Sequence, residues 1–126
     1  MKIIEKIEFN NDNLVPVVVQ ENRTKDVLMV AWMNKEAIEL TISNKYMYYW
    51  SRSRKKIWKK GETSDQTQKL IELCIDCDRD CLLALVEQKG VACHTGTKSC
   101  FFETIEENNF VRNQEVITNP DILYKK

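Results

Sequence analysis

Residues 90–102 read GVACHTGTKSCFF and hold the single histidine, His94, with two of the five cysteines, Cys93 and Cys100. Residues 75–81 read IDCDRDC, where Asp76, Asp78 and Asp80 alternate with Cys77 and Arg79 and Cys81 follows. Thiolates and imidazole bind zinc, whereas carboxylate oxygens suit Mg²⁺ or Ca²⁺. The polar stretch between Cys93 and Cys100 contains Gly96 and can fold back, bringing both thiols to one ion. Cys77 offers a third ligand. Three thiolates leave the fourth tetrahedral position open for water, the pattern of a catalytic zinc. Three unrelated buried cysteines fit the same spacing. His94 fits either a fourth ligand, which would close the site, or a nearby base, since imidazole ordinarily titrates near neutrality.

If residues 76–80 are extended, alternation points all three carboxylates to one face and Cys77 to the other. Such a face attracts a divalent cation, but a solvated acidic turn has the same composition. Asp76, Asp78, Asp80 and Glu87 also match four ligand positions of an EF-hand loop. That reading fails because Cys81 stands where the sharp turn needs glycine, and the apolar run LLALV follows. Cys74 and Cys77 form C-x2-C, yet LIELCID reads as a strand, where residues three apart face opposite sides; Cys74 is expected in the core.

Strands must position these groups. LVPVVVQENRTKDVLMVAWM predicts a hairpin turning near Asn22–Asp26. Asn34 can cap a short helix over about residues 35–43. YMYYWSR is strand-like. SRSRKKIWKKGETSD is basic and turn-rich, which predicts a loop or irregular edge. QKLIELCID and CLLALVEQK are two further strands, and CFFETIEENNFV predicts a hairpin turning at Asn108 and Asn109. The tail from Asn113 has no strong pattern. The expectation is one domain over residues 1–126, mostly β (α+β), with one or two short helices.

The 126 residues suffice for one core, and 19 basic residues balance 19 acidic ones. Zero net charge disfavours a nucleic-acid binder. No apolar run approaches a membrane span. MKIIEKIEFNNDN interleaves charge with apolar residues and is a poor signal peptide. The expectation is a cytoplasmic protein without membrane or nucleic-acid partners, whose odd cysteine count suits metal ligands or thiols rather than disulfides.

AWMNKEA (31–37), SRSR (51–54), WKKGETS (58–64), DCDRD (76–80) and ACHTGTKSCF (92–101) together resemble, in order, the signature segments of the phosphoribosyl-AMP cyclohydrolase family. The resemblance runs from about Val15 to Phe102. It departs at Asp65, where the family usually has glycine, and at Cys81, where a small residue is usual. It ends without the pyrophosphohydrolase domain fused in some relatives.

The resemblance implies Asp76, Asp78 and Asp80 as Mg²⁺ ligands. It implies Cys77, Cys93 and Cys100 as ligands of one Zn²⁺ per subunit, shared across an intertwined homodimer of small mixed β domains. It implies a hydrolase of histidine biosynthesis that opens the N1–C6 bond of the adenine ring of 1-(5-phosphoribosyl)-AMP, giving the formimino-aminoimidazole carboxamide ribotide, by a zinc-activated water. Three thiolates weaken zinc acidity, so an auxiliary base should help, and His94 is the only imidazole. Arg52, Arg54, Lys59 and Lys60 are expected to hold the substrate phosphates, Trp58 to stack on the purine, and Gly61, Glu62, Thr63 and Ser64 to line the substrate site. DCDRD and ACHTG must meet across about a dozen residues, on the order of 40 Å of extended chain. A turn or a partner chain can close that gap, and the partner is the expectation.

Two other functions are weighed against this one. A zinc nucleobase deaminase needs H-x-E and P-C-x-x-C, and neither occurs. A zinc-ribbon module binding RNA through SRSRKKIWKK lacks paired C-x2-C knuckles and a basic surplus.

Overall fold

In the computed structural model, which describes residues 1–124, the chain opens with a 3-10 turn at Lys2–Lys6. Strands β1 (Val15–Glu21) and β2 (Val27–Met33) form the expected antiparallel hairpin, with Val18 opposite Val30. Helix α1 (Lys35–Asn44) follows. Asn34 caps it by accepting the Ala37 N–H at 2.8 Å, and Lys45 ends it at φ 64°. Strands β3 (Tyr48–Ser51), β4 (Lys56–Lys59), β5 (Gln68–Ile75), β6 (Leu82–Gln88), β7 (Glu103–Glu106) and β8 (Asn109–Arg112) come next, and α2 (Pro120–Leu123) closes the described chain.

The main sheet has the order β2-β1-β6-β5. β1 and β6 run parallel at its centre, and the outer pairs are antiparallel. β1 alternates buried and half-buried residues, placing Val15, Val17 and Val19 on the core face, and β6 does the same with Leu82, Ala84 and Val86. Ala37, Ile38 and Thr41 of α1 cover that face, with Met33, Met47 and Tyr49 closing the core. The expected mostly β, α+β domain with short helices is the observed class. No helix among the described residues is long and apolar enough to cross a membrane.

Four local expectations change. The basic segment is not all loop: Lys56–Lys59 pairs with Tyr48–Ser51, because Ile57 and Trp58 meet Trp50 and Tyr49 across the ladder. Residues 76–80 are not extended but form the tight turn joining β5 to β6, with Arg79 at φ 61°. Cys74 is half-buried rather than core, because β5 is the edge strand. The last hairpin turns at Glu107 and Asn108, one residue early, with Glu107 at φ 53°.

Candidate active site and metal centre

The stretch 92–100 folds back on itself. Ala92 N–H donates to the Lys98 carbonyl at 3.0 Å, and Gly96 N–H to the Cys93 carbonyl at 3.0 Å. Gly96 sits at φ +92°, and a Cβ there would lie 1.9 Å from the Thr118 carbonyl oxygen, so only glycine fits. Cys100 N–H is held by the Leu28 carbonyl at 2.7 Å, and the Ser99 hydroxyl donates to Val27 at 2.7 Å. These anchors fix the Ser99–Cys100 end of the fold-back to β2, and the Ala92–Cys93 end is bonded back onto Thr97 and Lys98. Cys93 and Cys100 are thereby brought within hydrogen-bonding reach of each other.

The two thiols then differ electrically. Burial opposes charge on Cys93, but hydrogen bonds from Thr95, Thr97 and Cys100 outweigh it and hold this thiol below its ordinary value. Cys93 Sγ lies 2.9 Å from Thr95 Oγ1. Cys100 is pushed up to about 12, by desolvation of its thiol first and by the neighbouring Cys93 charge second. Its residue surface as a whole remains exposed. Metal ligation requires both sulfurs as thiolates, so a bound cation would displace their protons.

A pocket of about 300 Å³ opens beside this pair. Trp58 and Lys60 form one wall, the turn from Gly61 through Glu62, Thr63 and Ser64 another, and Ala92, His94 and Cys100 a third. Arg54 and Tyr124 complete the rim. Gly61 is at φ +85°, with room for no Cβ against the backbone of Gln66 and Thr67, and this sets the turn. Trp58 packs on Tyr49, ring centroids 5.2 Å apart, and lines the pocket. Lys60 Nζ donates to the Ala92 carbonyl at 2.5 Å. Arg52 does not line this pocket; its guanidinium stacks 4.9 Å over Trp32. Lys59 lies 4.9 Å from the ring of Tyr46. His94 is exposed at the edge.

The acidic turn is a separate cluster. One carboxylate oxygen from each of Asp76, Asp78 and Asp80 lies within 4.8 Å of the others, all exposed. Asp76 Oδ1 also accepts the Asp80 N–H at 3.1 Å and the Cys81 N–H at 3.3 Å, so one carboxylate builds the turn that gathers the other two. Desolvation and then the Asp76 and Asp78 carboxylates raise Asp80 above its ordinary value. Three convergent carboxylates of this kind fit a hard divalent cation.

Cys77 lies on this acidic turn, exposed, while Cys93 and Cys100 follow the far end of β6. Seven strand residues intervene, roughly 20 Å at the usual rise. Among the described residues the carboxylate triad is the one tight cluster of three such ligands, so one chain does not gather all three cysteines. The sequence reading missed Met29 and Tyr124 in the pocket wall. No motif marks Tyr124. It arrives because Ile117 and Thr118 N–H groups donate to the Gly96 carbonyl and draw the tail over the fold-back. A larger groove, about 700 Å³, runs past Ile3, Ile7, Ile42, Ile71 and Ile75, and its lining is chiefly apolar.

A sequence model of the phosphoribosyl-AMP cyclohydrolase family matches residues 29–102. The chain is 48% identical to the phosphoribosyl-AMP cyclohydrolase of Nitrosococcus oceani over 122 residues, 96% of this chain and 92% of the relative. It is 46% identical to that of Ruthia magnifica over 126 residues, 99% of this chain and all of the relative. Against that of Archaeoglobus fulgidus it is 54% identical over 101 residues, 80% of this chain and 94% of the relative.

Proposed function

Because this chain belongs to the phosphoribosyl-AMP cyclohydrolase family, we propose that it is the hydrolase of histidine biosynthesis that opens the adenine ring of 1-(5-phosphoribosyl)-AMP. The N1 substituent makes the ring cationic and C6 electrophilic. Water adds at C6 and the N1–C6 bond breaks. N1 departs with the bonding electrons and takes up a proton. C6 becomes the carboxamide carbon of the formimino-aminoimidazole carboxamide ribotide.

The observation that carries this reading is the meeting of Cys100, His94 and the Gly61–Ser64 turn around one pocket, with Cys93 beside them at the other end of the fold-back. Zinc fits Cys93, Cys100 and the partner subunit's Cys77, and when bound there it supplies Lewis acidity for hydrolysis. The imidazole of His94, at the pocket edge, accepts a proton from the attacking water and returns one to N1. The Trp58 face orients the purine, and Arg54 holds a phosphate. Mg²⁺ fits Asp76, Asp78 and Asp80 and offsets phosphate charge.

The chain works as a homodimer in this proposal. The separation of Cys77 from Cys93 along β6 supports a ligand set drawn from two copies. Ile3, Ile71 and Ile75, at 61%, 44% and 42% exposure beside the edge strand, offer apolar surface for the contact. The purified protein should hydrolyse 1-(5-phosphoribosyl)-AMP, and Cys77→Ser and Cys93→Ser should each be inactive. Refolded together in equal amounts, they should recover about a quarter of wild-type activity, because random pairing of two copies leaves one intact site in each mixed dimer. Recovery of nothing, with mixed dimers confirmed by mass, would place all three ligands in one chain and sink the shared site.

A further inference from the structure

The Lys60 amine sits in unusual company for a residue expected to hold a phosphate. The residue is half-buried, its Nζ is 2.5 Å from the Ala92 carbonyl, and the ring of Trp58 lies 5.8 Å away. Its own backbone N–H is bound to the Met47 carbonyl at 3.0 Å, which fixes its origin at the end of β4. Ion pairs among the described residues join Lys89 to Asp65 and Lys98 to Asp26, and neither includes Lys60. Lys60 lines the same pocket as Cys100, and the carbonyl its amine holds belongs to the residue before Cys93. Burial lowers this amine below its ordinary value.

A partly buried ammonium needs an opposite charge, and two adjacent thiolates need a cation. Each half of this arrangement supplies what the other lacks. Three thiolates around a divalent ion also leave a net negative charge, which one fixed ammonium cancels. The Ala92 carbonyl is the residue before Cys93, so the same amine holds the start of the metal-binding stretch.

We infer that Lys60 is a positioning residue for the Cys93–Cys100 pair: its ammonium, anchored on the Ala92 carbonyl, is the counter-cation that holds the two sulfurs together as metal ligands. This rests on the zinc reading above and replaces the substrate-phosphate role expected for Lys60. Outer-shell partners of metal ligands typically contribute about 10–100-fold in metal affinity. Arg54, on the rim of the same pocket, is left to meet phosphate.

The test uses the full chain and zinc itself, titrated against a competing chelator, with Co²⁺ substituted in parallel for its thiolate charge-transfer band. Wild type should bind either metal with that band present. Lys60→Met should bind zinc about 10–100-fold more weakly, with a shifted cobalt band and an unchanged far-ultraviolet spectrum. Lys60→Arg should restore most of the affinity. Lys60→Gln keeps a donor for the Ala92 carbonyl but no charge, and should bind as weakly as Lys60→Met. Wild-type zinc affinity in Lys60→Gln overturns the counter-cation role, even where Lys60→Met does not fold. Unchanged zinc binding with a raised KM in all variants returns Lys60 to the phosphate. A wild-type protein without a thiolate band overturns the zinc reading and this inference together.

Discussion

The Gln66 side-chain oxygen accepts the Val91 N–H at 2.9 Å, and this contact fixes the turn after Gly61 to the segment that leads into Cys93. The same oxygen fills the space beside Gly90, where a Cβ would lie 1.6 Å from it. Gln66→Ala should therefore destabilise the protein by about 1–3 kcal/mol, the scale of leaving a backbone donor unpaired. Gly90→Ala displaces Gln66 and adds strain at φ +68°. In a double-mutant cycle by thermal denaturation the two changes should be non-additive, with the pair costing less than the sum of the singles. Additive costs would show that Gln66 does not occupy that space in solution.

His94 lies exposed at the pocket edge, whereas Cys93 is buried in the fold-back. His94→Ala should keep its zinc and its fold while losing about 10²-fold or more in kcat, the usual scale for a lost general base. Cys93→Ala should lose zinc and activity together. Metal analysis beside kinetics checks both. Equal zinc loss in the two variants makes His94 a fourth ligand and removes its role as base.

Asp76 and Asp78 should separate ligand from scaffold. Asp76 Oδ1 accepts the Asp80 and Cys81 N–H groups, and no such bond holds Asp78 among the hydrogen bonds described. Both alanine variants should lose Mg²⁺ binding by calorimetry. Asp76→Ala should also lower stability in metal-free buffer by about 1 kcal/mol or more, and Asp78→Ala by clearly less. Equal stability losses would remove the turn-building role of Asp76.

Tyr49 should set an alkaline limit to stability. Its hydroxyl is fully buried, donates to Gln68 Oε1 at 2.5 Å, and is raised well above the ordinary 10.0 by desolvation first and the Cys100 charge second. The unfolded chain ionises this group near pH 10, while the folded chain keeps it protonated. Its contribution is therefore intact below pH 10 and is lost as pH rises from there toward the folded-state value. Tyr49→Phe should flatten that alkaline decline. At neutral pH it should cost about 1–3 kcal/mol, because Gln68 keeps a buried acceptor without its donor. Denaturant melts at pH 7 and above pH 10 decide both.

Several elements were legible because their cause is local. Asn34 caps α1 through its own side chain, alternating valines mark β1, and the turn near Asn22–Asp26 closes the first hairpin. Gly96 between Cys93 and Cys100 announces a fold-back by composition alone. The motifs that resemble one family nominated candidate residues before any geometry, and of these the fold gathers Arg54, Trp58, Lys60, the Gly61–Ser64 turn, His94 and Cys100 around one pocket. What depended on long-range contact was not legible. Lys56–Lys59 reads as loop until Trp50 and Tyr49 pair with Ile57 and Trp58 across the ladder. Cys74 reads as core until β5 proves to be an edge. The aspartates converge through a turn with Arg79 at positive φ rather than through strand alternation, although either route gathers them. Tyr124 enters the pocket only because the Gly96 carbonyl binds the tail, and the Lys60 amine meets the Ala92 carbonyl only because the end of β4 packs beside it. Side-chain type and spacing are written along the chain, but which partner a charge meets is decided by residues distant in sequence, whose approach only the packed fold fixes.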